Sequence, residues 1–249
     1  MIETKDIVKG FGRQKVLDGI SLMIEKGESV SIIGRSGCGK SVLLKTIIGL
    51  IPPDSGRVII DGQDITGLNE RELIKVRRKF GMLFQSAALF DSMSVFENIA
   101  FPLRREKRLS EDQIKQKVAE ALEMVEMPGI ESKMPSELSG GMRKRVGLAR
   151  AIVYQPEIIL YDEPTTGLDP VVSDSIDKLI LRICERLNVT TVVVTHDMRS
   201  VRRVSKKIFM MHKGKIYATG TPEDIFESKD PIVKQFVNGE SDPKEVFFL

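Results

Sequence analysis

The run Gly34-Arg35-Ser36-Gly37-Cys38-Gly39-Lys40-Ser41 fills every fixed position of the pattern G-x-x-x-x-G-K-[ST]. No other stretch of the chain constrains its folding so strongly. The glycines let a loop curl until its N–H groups converge on one point, and a helix starting at the loop's end turns its positive pole to the same point. Such a concavity takes up phosphate. Its flanks agree: residues 29–33 are apolar and β-prone, residues 42–48 suit a helix, and Gly49 followed by Pro52 and Pro53 ends that helix. Strand, loop and helix in this order predict a nucleoside triphosphate site. Gly34, Arg35, Ser36, Gly37, Cys38, Gly39, Lys40, Ser41 and Val42 would surround the phosphates, with Lys40 reaching the β- and γ-phosphates and Ser41 holding Mg²⁺.

A chain of 249 residues is long enough for one large domain or for a core carrying an inserted subdomain. Its 38 basic and 35 acidic side chains nearly cancel, so bulk charge gives no reason to expect a nucleic-acid partner. A bridge between the two cysteines, Cys38 and Cys184, would block the phosphate loop, which fits a reducing compartment. No apolar run approaches the roughly 20 residues that cross a bilayer. Residues 1–6 lack the basic and apolar regions of a signal peptide. The expectation is a soluble chain that meets a membrane only through a partner.

Apolar runs at residues 2–8, 16–24, 29–33 and 58–60, separated by glycine-containing turns, predict a small antiparallel layer leading into the nucleotide fold. Residues 80–84, 157–161 and 190–194 are short, continuously apolar or β-branched, and separated by helical patterns, as parallel strands buried on both faces require. Residues 85–156 between the first two of these show helical periodicity and predict an inserted helical subdomain. Ser110 and Gln113 form a capping-box pattern ahead of Ile114, Val118, Ala121, Leu122 and Val125 at helical spacing. A second helix is expected from about Ser139 to about Tyr154. The predicted division is residues 1–86 and 156–236 for the nucleotide-binding core with its β layer, 87–155 for the helical subdomain, and 237–249 for a tail.

The strand at 157–161 runs into Asp162 and Glu163, adjacent carboxylates where a phosphoryl-transfer site needs them. Asp162 would support Mg²⁺ through its water shell, and Glu163 would polarise the attacking water. His196 follows the carboxyl end of another predicted core strand, where open α/β sheets meet their ligands, and is placed to contact the γ-phosphate. Gln85 ends the strand at 80–84 on the same edge, so its amide can touch Mg²⁺ or water. Phe11, in a turn flanked by Gly10 and Gly12, can stack on adenine. The basic run Arg143, Lys144 and Arg145 reads as a solvated face.

With these residues in place, the chain resembles the ATP-binding subunits of ABC (ATP-binding cassette) transporters over nearly its whole length. The resemblance implies a P-loop NTPase core of RecA-like α/β type, with an N-terminal antiparallel β subdomain and an inserted helical signature subdomain. Leu138-Ser139-Gly140-Gly141-Met142 resembles the family's signature motif, and Ser139 with the glycine N–H groups at a helix start makes a second anion site. The resemblance implies an ATP hydrolase working as a head-to-tail homodimer, in which Ser139, Gly140 and Gly141 of one chain cover the γ-phosphate held by Lys40 of the other. It also implies that Phe11 is the adenine-stacking aromatic, Gln85 the Q-loop glutamine, residues 167–169 the D-loop and His196 the switch histidine.

Met142 at the fifth signature position, with residues 82–90 and 94–103, makes the chain similar to the ATPases of Mla/Mce-type lipid transport systems of the bacterial envelope. That likeness implies a peripheral protein on the cytoplasmic face of the inner membrane, working with MlaE-like transmembrane permease subunits and an Mce-domain substrate-binding protein. The apolar set Phe90, Met93, Val95, Phe96 and Phe101 would receive the permease. The apolar end of the tail, Val246-Phe247-Phe248-Leu249, would reach the partner ATPase or a small regulatory subunit. An importer of amino acids or methionine, and an ABC ATPase outside transport, are the other functions this pattern allows.

Overall fold

The structure is a computed structural model and describes residues 1–105 and 109–240. An antiparallel sheet opens the chain: β1 (Ile2–Phe11) and β2 (Gln14–Ile24) form a hairpin, and β4 (Ser55–Ile60) and β5 (Gln63–Asp64) extend it in the order β2-β1-β4-β5. Side chains alternate as a half-buried strand requires. Ile20, Leu22 and Ile24 point inward, with Ser21 and Met23 outward.

The second sheet has the order β10-β9-β3-β8-β7-β6, with β3 (Ser29–Ile33), β6 (Phe80–Leu83), β7 (Ile158–Asp162), β8 (Thr190–Val194) and β9 (Lys207–His212) parallel and β10 (Lys215–Gly220) antiparallel at one edge. Every residue of β3, β7 and β8 is buried, which explains their unbroken apolar or β-branched sequences. Alternate residues serve different cores. Ile158 and Leu160 pack with the antiparallel layer and with Leu43 and Ile47 of α1 (Lys40–Ile47), while Ile159 and Tyr161 pack with the inserted helices. Burying each such Val, Leu or Ile contributes roughly 1.5–3 kcal/mol.

The inserted helices are α3 (Val95–Arg105), α4 (Glu111–Met124) and α5 (Gly140–Ile152), following α2 (Glu70–Arg77). Ser110 caps α4 with the reciprocal Gln113 bonds of a capping box, and Ile114, Val118, Ala121 and Leu122 form its buried stripe. Val95 and Phe96 join this core, and Phe90 and Phe101 stay on the surface with ring centroids 5.0 Å apart. The remaining helices are α6 (Pro170–Leu187), α7 (Met198–Val204), α8 (Pro222–Phe226) and α9 (Pro231–Asn238). No helix among the described residues is long and apolar enough to cross a membrane. The expected tail contacts of residues 241–249 lie outside the described residues.

Two sequence expectations are corrected. Residues 29–33 do not join the antiparallel layer but form the centre of the parallel sheet, between β8 and β9. The parallel core also extends past residues 190–194, because β9 pairs with β3 from Val30↔Lys207 to Ile33↔Met210. Each places more backbone beside the phosphate loop, since β9 closes the side of β3 away from β8.

Candidate functional site

The loop from Gly34 to Gly39 leaves β3 at the sheet's centre and enters α1. Its glycines are required by space as well as by conformation. Gly34 has φ +150°, and a Cβ there would lie 2.4 Å from the Met211 carbonyl oxygen; Gly39 has φ +103°, and a Cβ would lie 2.9 Å from the Val16 carbonyl oxygen. Strands β9 and β2 thus hold the loop by its backbone. Lys40 is 6% exposed and turns its Nζ back into the loop, donating to the carbonyls of Gly34 (2.7 Å) and Arg35 (3.1 Å). No acidic residue stands in the first turn of α1, so the positive helix end faces the loop uncompensated. Arg35 donates to Gln235 Oε1 on α9 at 3.3 Å. Burial pushes the Cys38 thiol above its usual value, with Lys40 opposing. Ser36 is exposed, and Val42 packs at the edge of the core.

Strand β7 brings the carboxylates to this loop. Ser41 donates to Asp162 Oδ1 at 2.7 Å, which joins the two motifs directly, and Asp162 is 5% exposed. A buried carboxylate beside a hydroxyl is a hard-oxygen pair that fits Mg²⁺, a cation usually held by one or two carboxylates, substrate phosphates and water. No cluster of three or more His, Cys, Asp or Glu residues suited to a metal occurs among the described residues, so the pair fits an ion completed by the nucleotide better than an all-protein cage.

Glu163 occupies the left-handed region at φ +51° while its N–H donates to the Val194 carbonyl at 2.8 Å. A non-glycine residue held there turns out of the strand direction at a cost of order 1–3 kcal/mol. Its Oε2 accepts from the Thr166 hydroxyl at 3.0 Å and lies 2.8 Å from His196 Nδ1. The carboxylate is nearly buried and the imidazole 60% exposed, so the pair spans the site's inner and outer layers. Gln85, Ser86, Lys45, Asp162 and Thr166 line an open cleft of about 500 Å³. Lys40, Ser41, Asp162, Glu163, His196 and Gln85 thereby converge on the carboxyl end of the parallel sheet.

The other predicted residues lie apart from this convergence. Ser139 caps α5, accepting from Met142 N–H at 3.3 Å, and its side chain is exposed. A Cβ on Gly140 would meet Leu168 at 3.2 Å and one on Gly141 would meet Val172 at 2.6 Å, so the signature segment packs on the loop and helix that follow Glu163. Phe11 is half-exposed at the end of β1, with Lys9 Nζ 5.6 Å from its ring centroid.

The solvated face expected of residues 143–145 is not found. Lys144 is 5% exposed and donates to the backbone carbonyls of Gln85 (2.5 Å) and Glu163 (3.1 Å), and Arg145 is anchored by Val125 O, Glu126 and Ser175. Only Arg143 is exposed, and it too donates to Leu138 O. Lys144 is the site residue that sequence reasoning missed. Helical spacing carried the signal, since Lys144 shares a face with Gly141, Gly147 and Leu148, all buried.

A phosphate loop at the centre of a parallel sheet, joined to a strand-end acid pair and preceded by an antiparallel layer, defines an ATP-binding cassette. The chain belongs to the ABC transporter family, whose model matches residues 17–166. It is therefore an ATP-binding, ATP-hydrolysing transporter subunit. Among relatives, it is 45% identical to the intermembrane phospholipid transport system ATP-binding protein MlaF of Haemophilus influenzae, over 97% of this chain and 92% of that one. It is 44% identical to the methionine import ATP-binding protein MetN of Carboxydothermus hydrogenoformans, over 92% of this chain and 68% of that one. The dimeric post-hydrolysis structure of the ATP-binding cassette MJ0796 bound to ADP and Pi superposes with a TM-score of 0.83 at 34% identity, covering 89% of this chain and 99% of the other.

Proposed function

We propose that this ABC ATPase powers phospholipid transport in a bacterial envelope, from the cytoplasmic face of the inner membrane. The likeness to a phospholipid-transport ATPase across nearly the full length of both chains is the observation that carries this reading. The chain would pair head to tail with a second copy and dock on MlaE-like permease subunits associated with an Mce-domain protein, and a small regulatory subunit would bind elsewhere on the ATPase. Phe90 and Phe101, 43% and 39% exposed beside a cleft lined by Met93, Glu97, Arg104 and Arg105, supply an apolar patch with a basic rim for the permease. A small-solute importer is the second reading, favoured by the likeness to MetN.

In the proposed site, the loop N–H groups and Lys40 would hold the β- and γ-phosphates, Phe11 would stack on the base, and Ser41, Asp162 and Gln85 would hold Mg²⁺, Asp162 through water. The ion would neutralise charge developing on the phosphate oxygens. Glu163 accepts a proton from the water that attacks the γ-phosphorus, and the bond to the β,γ-bridging oxygen breaks to leave ADP and phosphate. His196 holds Glu163 in line and contacts the γ-phosphate. Ser139, Gly140 and Gly141 of the second copy complete the cradle. Residues 87–155 act as the coupling subdomain.

Purification of the tagged chain from detergent-solubilised membranes, with mass spectrometry of bound proteins and lipids, tests the transport reading. Recovery of a polytopic permease, an Mce-domain protein and phospholipid is expected. A solute permease with a soluble binding protein would select the second reading instead.

A further inference from the structure

Helix α5 grips the chain after β6 along one line of its surface. Lys144 donates to Gln85 O; three residues on, a Cβ at Gly147 would stand 3.1 Å from Ala87 Cβ; three further on, Arg150 donates to Ala87 O at 2.8 Å. Residues at this spacing share a helix face. The segment they hold is strained, because Ala87 and Ala88 sit at φ +60° and +47°, a region that costs an alanine roughly 1–2 kcal/mol. Such backbone keeps its shape only while its surroundings impose it.

Lys144 differs from Gly147 and Arg150 in gripping a second segment as well. Its Nζ also donates to Glu163 O, so one ammonium ties together the backbones of the second residue after β6 and the residue after β7. Burying an ammonium is costly, and a solvent-facing lysine would cap the helix surface without that cost. Burial lowers its proton affinity, and the nearby Glu163 and Asp162 carboxylates oppose that effect. Ser139 caps the same helix, and the five steps from it to Lys144 make a stiff lever of about 7.5 Å at 1.5 Å per residue.

We infer that Lys144 is a positioning residue that couples the two composite ATP sites: it fixes Gln85 and Glu163 of its own chain's site while the start of its helix engages the nucleotide of the partner. A shift of α5 as Ser139 meets the partner's γ-phosphate is passed through the ammonium to the two backbones that aim the carboxylate and the amide. The inference rests on the roles proposed for Gln85, Glu163 and Ser139.

The test measures steady-state ATP turnover, affinity for a fluorescent ATP analogue and thermal unfolding of the full-length chain in five forms. These are Lys144→Met, Lys144→Arg, Glu163→Gln, Ser139→Ala and the Ser139→Ala/Lys144→Met pair. Misplacing a reacting group by about 1 Å costs on the order of 10²-fold in rate, so Lys144→Met is expected to lower kcat by roughly 10–10²-fold with nucleotide affinity unchanged. Lys144→Arg should recover most of that loss. The paired variant should depart from the product of the single effects by roughly fivefold or more. If Lys144→Met does not fold, Lys144→Gln replaces it. Wild-type kcat in folded Lys144→Met or Lys144→Gln, or strictly multiplicative effects in the pair, overturns the inference while an inactive Glu163→Gln leaves the site reading standing. Wild-type turnover by Glu163→Gln overturns the site reading, and the inference with it.

Discussion

The phosphate loop and the signature segment both lie at the start of a helix and both serve as anion cradles in the proposed mechanism, yet the chain finishes only one of them. Around the loop, Lys40 is bonded to Gly34 and Arg35, Ser41 to Asp162, and Glu163 lies against His196, so three separate segments are already joined. At the signature, Ser139 caps its own helix and faces solvent, and Gly140 and Gly141 rest on Leu168 and Val172. The difference separates two tasks. In the proposed mechanism binding is completed within one chain, whereas closing over the γ-phosphate would need a surface that another copy presents, which would make hydrolysis conditional on dimer closure.

The comparison breaks most visibly at Glu163. Replacing it with Gln keeps its size but removes the proposed base, so kcat should fall by about 10²–10⁴-fold with ATP still bound and the dimer held closed. Light scattering with ATP and a phosphate-release assay would show both. Lys40→Ala acts on the other half of the loop's task. Losing a charged hydrogen bond worth roughly 1.5–3 kcal/mol should weaken ATP binding by about 10–10²-fold in a direct titration. An unchanged titration would remove Lys40 from the phosphate site.

Ser139→Arg sharpens the contrast from the unfinished side. It places a bulky cation where the partner's phosphate edge must approach, so turnover should fall on the order of 10²-fold, as when one donor to a developing charge is lost. ATP affinity of the isolated chain should stay at the wild-type value. A matching loss of affinity would mean that the signature segment serves its own chain's nucleotide, contrary to the division of tasks described here.

What could be read from the sequence follows the same line. The loop, the acid pair at the end of β7 and the capping box at Ser110 were legible because each is written in neighbouring residues whose spacing is fixed by local geometry. The place of β9 was not, since Ile208, Phe209, Met210 and Met211 form an apolar run whose partner, β3, lies more than 170 positions away and is chosen by tertiary packing. Lys144 was misread for a related reason. Charge predicts solvent, and only the carbonyls of Gln85 and Glu163, brought together by two different strands, make a buried ammonium tolerable. The Glu163–His196 contact likewise depends on β7 and β8 lying side by side.

The smallest expected effect comes from a second buried carboxylate, which separates placement for chemistry from placement alone. Asp162 has Ser41 as a partner, whereas Asp177 on α6 accepts from Ser200 at 2.8 Å through Oδ2 and leaves Oδ1 buried without a partner. Burial pushes the Asp177 carboxyl up to about 6, with Ser200 and Arg203 opposing and Asp197 and Asp174 adding to the rise. Below pH 3.8 both folded and unfolded chains hold this proton, and the group has no effect on stability. Between there and about pH 6 the unfolded chain releases it first, so stability falls as pH rises, and the full penalty is in force above about 6. The gap between 3.8 and about 6 corresponds to at most about 3 kcal/mol. Asp177→Asn removes the titration while keeping the acceptor for Ser200, so the variant should gain about 1 kcal/mol at pH 7.5, seen as a Tm higher by roughly 2–4 °C. The gain should vanish near pH 4, and ATP turnover should match the wild type at both values, because Asp177 holds α7 to α6 and touches none of the residues that meet the nucleotide.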